Sequence, residues 1–215
     1  MHIKRKTIPN FWPVKKTGTK YIAVADHNKN SAMPLIIALR DVLKIVKNKK
    51  ELKELLYNKK VIINNKVINE TNYPISLFDS LVFPTIKKYY RAVLKNKKMD
   101  FVEITQKESL VKISKVLNKK VLDSKRIQIN LAKGYNLISK EKISTGDFII
   151  LDEKNNIQKI IKLEKGSEII VTKGKYAGVE GKIKEIYQEG ENKLALIKTD
   201  SGDLKLNINT IYAKL

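Results

Sequence analysis

Among the side chains able to do chemistry in this sequence, cations outnumber every other kind, and the chemistry open to them is the binding of anions. Lysine and arginine number 44 against 22 acidic residues, a formal charge of +22 on a chain of 215 residues. So much like charge repels itself in a compact monomer, and a polyanionic partner is the simplest reason for it; DNA, RNA and an acidic membrane all fit the sign. Only Arg5, Arg40, Arg91 and Arg126 are arginine. Lysine is a mobile point charge, whereas arginine offers a planar fork for bidentate contacts, so neutralisation of a backbone is expected to outweigh the reading of base edges.

Other chemistries lack their residues. With no cysteine in the chain, disulfides, thiol catalysis and thiolate metal sites are excluded. His2 and His27 have no partner at metal-ligand spacing, so neither a zinc site nor any cofactor is expected. Asp147 follows Gly146 at a strand start and reads as a turn residue; no carboxylate is set apart as an acid or base, which argues against an enzyme. Gly174-Lys175 lacks the upstream glycine spacing and the following Ser or Thr of a phosphate-binding loop, and Glu180 and Glu185 have no companion magnesium motif. The longest wholly apolar stretch, Leu35 to Leu39, is far short of the ~20 residues that span a bilayer. The opening His2-Ile3-Lys4-Arg5-Lys6 has no apolar core behind it, so no secretory signal and no membrane partner are expected, and the chain is expected in the cytoplasm.

The elements that must position these cations read as an α+β multidomain chain. Residues 1–33 carry seven basic side chains and one acidic, with Pro9, Pro13 and Gly18 breaking any period; they read as an extended basic arm. Phe11, Trp12 and Tyr21 interrupt its charges and must pack on something, either the protein or splayed bases. From Pro34, with Ser31 as a possible cap, an apolar stripe of Leu35, Ala38, Leu39, Val42, Leu43 and Val46 predicts a helix, and Leu52, Leu55 and Leu56 a second one over 51–57. Val61 to Ile63 and Lys66 to Ile68 flank a tight turn at Asn64-Asn65, and Ser80 to Phe83 reads as a further strand. This α/β domain is expected to span 34–86. A β-rich central domain follows over 87–165, with strands near 90–94, 101–104, 126–131, 135–138, 148–151 and 157–163. Residues 166–215 read as a small β-barrel with strands near 168–172, 181–187, 193–199 and 204–208 and a turn over 200–203. The charge is uneven: residues 1–165 carry a net +21 and residues 166–215 only +1, so the electrostatic footprint belongs to the arm and first two domains.

The run Pro34-Leu35-Ile36-Ile37-Ala38-Leu39-Arg40-Asp41-Val42-Leu43, followed by Val61 to Ile68, Tyr73-Pro74 and Phe78-Asp79, resembles the S4e family of small ribosomal subunit proteins of archaea and eukaryotes. His2-Ile3-Lys4-Arg5 and Trp12-Pro13 are similar to that family's N-terminal arm. The run Gly174-Lys175-Tyr176-Ala177-Gly178-Val179-Glu180-Gly181, after Val171-Thr172 and before Lys182-Ile183, resembles a KOW motif, so the final barrel is expected to be SH3-like. The glycines Gly174, Gly178 and Gly181 let the backbone turn and approach another surface.

The resemblance implies an S4-like RNA-binding domain over 34–86 and no catalysis. It assigns RNA contacts to Arg40, Lys44, Lys47, Lys49 and Lys50 on the helices and to Lys59, Lys60 and Lys66 at the hairpin. Lys4, Arg5, Lys6, Lys15, Lys16 and Lys20 of the arm are expected to become ordered on RNA. Arg91 and Arg126 could clamp phosphates or form surface ion pairs. Lys173, Lys175 and Lys182 could meet phosphates, though their nearly neutral unit suits protein as well as RNA. The implied function is that of a single-copy structural component of the ribosome, binding small-subunit rRNA beside neighbouring ribosomal proteins. A transcription or translation factor docking through the KOW unit is the alternative, and an RNA-modifying enzyme a weaker one.

Overall fold

The computed structural model describes residues 2–123, 126–139, 141, 143–190, 192–199 and 202–213. Its contacts divide the chain into two units, residues 1–112 and 113–215.

In the first unit β1 (His2–Lys4) pairs antiparallel with β2 (Tyr21–Ala23), Ile3 facing Ile22. The segment read as an extended arm is instead folded. Trp12 is completely buried, and Ile8 and Ile22 join it in a core with Met33, Leu35 and Leu39. The amide of Met99 donates to the Phe11 carbonyl at 2.8 Å, and the Lys98 ammonium to the carbonyls of Asn10 and Trp12 at 2.6 and 3.2 Å. The physical reason is apolar content: Ile3, Ile8, Phe11, Trp12 and Val14 offer enough surface to offset the entropy of ordering without a polyanion.

β3 (Met33–Pro34) leads into α1 (Leu35–Ile37), which continues as a π-helical stretch over Ala38–Val42. The amide of Leu43 donates to the carbonyl of Ala38, five residues back, at 2.9 Å. Pro34 itself is the N-cap, while the Ser31 hydroxyl bonds Asn28. The predicted helix therefore ends before Val46. Lys44 turns left-handed at φ 54°, and Val46 reaches the core from a loop.

α2 (Lys49–Tyr57) begins where Asn48 accepts the Glu51 amide at 3.0 Å while Glu51 accepts the Lys47 amide at 2.7 Å, two orphan donors satisfied together. Leu52 and Leu56 are its buried residues.

β4 (Ile62–Ile63) and β5 (Lys66–Val67) are joined by Asn64 and Asn65, both left-handed at φ 49° and 64°, as a two-residue hairpin with right-handed strand twist requires. β6 (Pro74–Ile75) pairs back with β3. β7 (Ser80–Phe83), β8 (Lys88–Lys95) and β9 (Lys98–Glu103) complete a sheet of order β5-β4-β7-β8-β9. β7 pairs with β8, so this one sheet carries strands from both sides of residues 86 and 87. A short α2-like turn of helix, α3 (Gln106–Ser109), carries a capping box of Thr105 and Glu108.

The second unit holds two five-stranded sheets. β10 (Lys112–Asp123), β11 (Arg126–Leu131), β12 (Asn136–Ser139), β13 (Phe148–Leu151) and β14 (Ile157–Ile161) assemble in the order β12-β11-β10-β13-β14 over Val116, Ile129, Leu131, Ile149 and Leu151. β15 (Glu168–Val171), β16 (Glu180–Glu189), β17 (Asn192–Thr199), β18 (Gly202–Asn207) and β19 (Ile211–Ala213) follow in the order β18-β17-β16-β15-β19. This last sheet curls into a half-barrel around Ile169, Val171, Ile183, Ile197 and Ile211. Residues 200 and 201 of the predicted turn lie outside the described residues.

Candidate nucleic-acid interface

Three of the four arginines are committed to the fold. Arg5 donates to the carbonyls of Thr19 and Lys15 at 2.7 and 3.0 Å and to the Thr19 hydroxyl at 2.8 Å, organising the loop between β1 and β2. Arg91 donates to the Glu108 carbonyl at 2.6 Å, and its Nε is buried with no partner. Burial lowers the pKa of that guanidinium, with the Glu108 carboxylate opposing. Arg40 forms a bidentate pair with the adjacent Asp41, both bonds 2.9 Å, and that hydrogen bond raises its pKa against the cost of burial. Arg5, expected as an arm contact, and Arg91, expected as a phosphate clamp or a surface ion pair, are thus both bonded to carbonyls of their own chain: a planar fork satisfies several fixed acceptors at once, which suits it to tying loops together. Arg126 is exposed at the start of β11 and also has an internal interaction.

The lysines are placed differently. Lys44, Lys47, Lys49 and Lys50 are exposed in the turn before α2 and on its first turn. Lys59 lies beyond the end of α2, left-handed at φ 54° and exposed; Lys60 is half-buried, and Lys66 is exposed in β5. The structure therefore gathers these seven around one short helix and one hairpin. Lys4, Lys6, Lys15, Lys16 and Lys20 are exposed on the folded N-terminal segment, with Lys16 bonded to Asn10 at 3.0 Å.

A buried polar knot fixes the hairpin to its sheet. The Asn64 amide group donates to Asp79 at 2.7 Å and its oxygen accepts the Ser80 amide at 3.0 Å, while Asp79 accepts the Ser76 amide at 2.6 Å. The turn is further held by Asn65, which donates to the Leu110 carbonyl at 2.8 Å. Asp79 enters the sequence reading only through the Phe78-Asp79 pair of the family resemblance, without this function; a carboxylate beside a strand start, fifteen residues from an Asn-Asn turn, is the physical trace of it.

In the half-barrel, Lys173 and Lys175 are exposed in the loop between β15 and β16, the second lying 5.8 Å from the Tyr176 ring. Gly174 and Gly178 bend that loop at φ 87° and 88°, and the Gly178 amide closes it on the Val171 carbonyl at 2.7 Å. Gly181 does different work: a Cβ there would come within 2.5 Å of the Lys198 carbonyl, so only glycine allows β16 and β17 to approach. Lys182 pairs with Glu168 at 3.2 Å, Lys205 with Glu189 at 2.5 Å, and Lys184 with Asp203, which gives this unit its near neutrality a local cause. Asp147 accepts the amides of Ser144 and Leu163 at 2.9 and 3.3 Å, a turn residue as predicted.

One lysine was not anticipated. Lys115 of β10 is 3% exposed, donates to the carbonyls of Ile208 and Ile211 at 2.6 and 2.9 Å, and lies 5.5 and 5.2 Å from the rings of Phe148 and Tyr212. Burial, and then the nearby Lys173 ammonium, push its pKa down to about 8. Among the described residues no group of three acidic or histidine side chains could hold a metal ion, and no helix is long and apolar enough to cross a membrane.

Exposed lysines gathered on an α/β layer, in a chain that also carries two five-stranded antiparallel sheets, define an anion-binding protein of modular β-rich build. Residues 86–157 match the ribosomal family S4e and residues 165–198 the KOW motif. The chain is 33% identical to the small ribosomal subunit protein eS4 of Methanocella arvoryzae over 95% of its length and 89% of the relative's. It is 31% identical to eS4 of Nanoarchaeum equitans, covering 86% and 82%. The crystal structure of the 30S ribosomal protein S4e from Thermoplasma acidophilum superposes with a TM-score of 0.73 at 24% identity, over 86% of this chain and 95% of that one. The chain belongs to the S4e family of small ribosomal subunit proteins, which are not enzymes.

Proposed function

We propose that this chain is a structural component of the small ribosomal subunit that binds rRNA and stabilises its folded form by neutralising phosphates, with no chemical step. The observation that carries the reading is the set of exposed lysines around α2 and the β4–β5 hairpin, in a unit whose residues 1–112 hold a net +15. Residues 34–86 act as the S4-like RNA-binding domain, 87–165 as the central domain and 166–215 as the KOW unit. Lys44, Lys47, Lys49, Lys50, Lys59, Lys60 and Lys66 are the principal phosphate contacts. Lys4, Lys6, Lys15, Lys16 and Lys20 extend that surface from a segment already folded, and Arg126, Lys173, Lys175 and Lys182 supply further contacts. Arg5, Arg40 and Arg91, each already bonded to its own chain, brace that surface more than they extend it.

One copy is held per subunit, in the cytoplasm, against rRNA and neighbouring ribosomal proteins. Lysines without bidentate forks bind many phosphates loosely, so affinity comes from counterion release and falls steeply with salt. Sedimentation of a cell extract tests this: the tagged protein is expected in 30S-size particles at a 1:1 ratio to the small-subunit rRNA. Recovery mainly in the free protein fraction at low salt would overturn the reading.

A further inference from the structure

The ring of Tyr57 is 88% exposed at the end of α2, the most exposed large apolar or aromatic side chain among the described residues. It contributes nothing to the packing of α2, whose buried residues are Leu52 and Leu56. Other tyrosines in basic stretches have a ring face occupied. Lys20 lies 5.5 Å from the Tyr21 ring, Lys175 5.8 Å from that of Tyr176 and Lys205 5.3 Å from that of Tyr187. Among the described residues Tyr57 has no such cation and no neighbouring ring.

A single exposed ring is ordinary on a protein surface. This one closes a row of cations. Lys53 lies one turn before it on the same face, Lys50 a turn further back, and Lys59 just beyond, all exposed. Of the two acids on α2, Glu51 is spent on the helix cap, leaving Glu54 as the one opposing charge on the helix. A cationic track ending in an open aromatic face has the two parts of a single-stranded nucleic-acid site: charges that follow phosphates and a platform on which a base stacks.

We propose that Tyr57 stacks on an unpaired base of RNA whose backbone runs along the lysines of α2. The inference rests on the RNA-binding reading above and adds a contact that charge alone does not provide, selectivity for unpaired over paired nucleotides. An apolar protein partner would use the same ring without needing the lysines, and the charge of this face favours the polyanion.

The test uses the full chain and two fluorescent RNAs, a stem closed by an eight-nucleotide loop and a blunt duplex of the same stem. Tyr57→Ala is expected to weaken loop binding roughly 5- to 100-fold, the stacking of about one base, and to leave duplex binding unchanged. Tyr57→Phe keeps the ring and wild-type affinity, whereas Tyr57→Leu behaves like Tyr57→Ala. The salt slope stays at the wild-type value in all three, since no charge is removed. Thermal unfolding should be unchanged, as expected for so exposed a residue. Equal loop affinity of wild type and Tyr57→Ala overturns the stacking proposal while leaving charge-driven binding intact; so does a Leu variant as good as Phe, which indicates mere apolar contact. Failure of the wild type to bind either RNA in a salt-dependent manner sinks the RNA-binding reading itself.

Discussion

The most informative single residue is Lys115, because its two protonation states differ in what the surroundings offer them. Two carbonyls and two ring faces favour the ammonium, while burial and Lys173 disfavour it, the balance leaving a pKa of about 8. The folded state thus releases this proton near pH 8 and an unfolded chain only near 10.5. Between those values the unfolded state binds more protons, so stability contributed by this residue rises with pH and is absent below about 8. Wild type is expected to gain up to about 3 kcal/mol over Lys115→Met between pH 8 and 10.5, read from urea unfolding of both at matched pH. Trp12 offers a second residue-scale prediction. It is fully buried, so Trp12→Ala should cost about 3–5 kcal/mol in denaturant unfolding of the free protein. A ring that packed only on RNA would give no such loss. Neither residue was legible from sequence. Lys115 sits in Lys112-Ile113-Ser114-Lys115-Val116, where a lysine reads as solvent-facing, and Trp12 lies between two prolines where no period reveals a buried side.

Elements were legible where local geometry alone dictates them. The Asn64-Asn65 hairpin, the buried leucines of α2 and the strands Ser80–Phe83, Arg126–Leu131 and Phe148–Leu151 follow from turn chemistry and periodicity. Six strands did not. β10 carries Lys115 inward and exposes Leu117 and Val121, reversing the pattern that would mark it; β19 is a three-residue edge strand, and β1, β2, β3 and β6 are pairings of two or three residues, too short for a period to mark. The helix from Leu35 was predicted one turn too long, because Val46 fits its period yet reaches the core from a loop. The KOW glycines could be located but not ranked. With the Lys198 carbonyl 2.5 Å from any added Cβ, Gly181→Ala must push β16 from β17 and should cost roughly 1–3 kcal/mol in thermal unfolding.

At the scale of the molecule, charge is distributed unevenly between the units, with a net +15 in residues 1–112 and +7 in 113–215. Binding to a polyanion should therefore depend mostly on the first unit. Changing Lys44, Lys47, Lys49 and Lys50 together to Gln is expected to reduce the slope of log K against log salt by about 3 to 4. Changing Lys182, Lys184 and Lys205 should reduce it far less, since each already faces a carboxylate of its own chain. Filter binding across a salt series measures both, and equal losses would contradict this division. The uneven charge was readable from sequence; the bonding of Arg5 and Arg91 was not, because their partners include backbone carbonyls contributed by residues distant in the chain.

The ammonium of Lys98 on the carbonyls of Asn10 and Trp12 also imposes an order on synthesis. The partners lie 88 and 86 residues apart, so the N-terminal segment emerges long before the strand that secures it. At ~5–20 residues per second, Trp12 and Ile8 wait roughly 4–18 s with no β9 to pack beneath. During that interval the nascent chain displays an apolar, basic leader that a chaperone or a stray nucleic acid could seize, and the hazard ends only when β9 arrives to cover it.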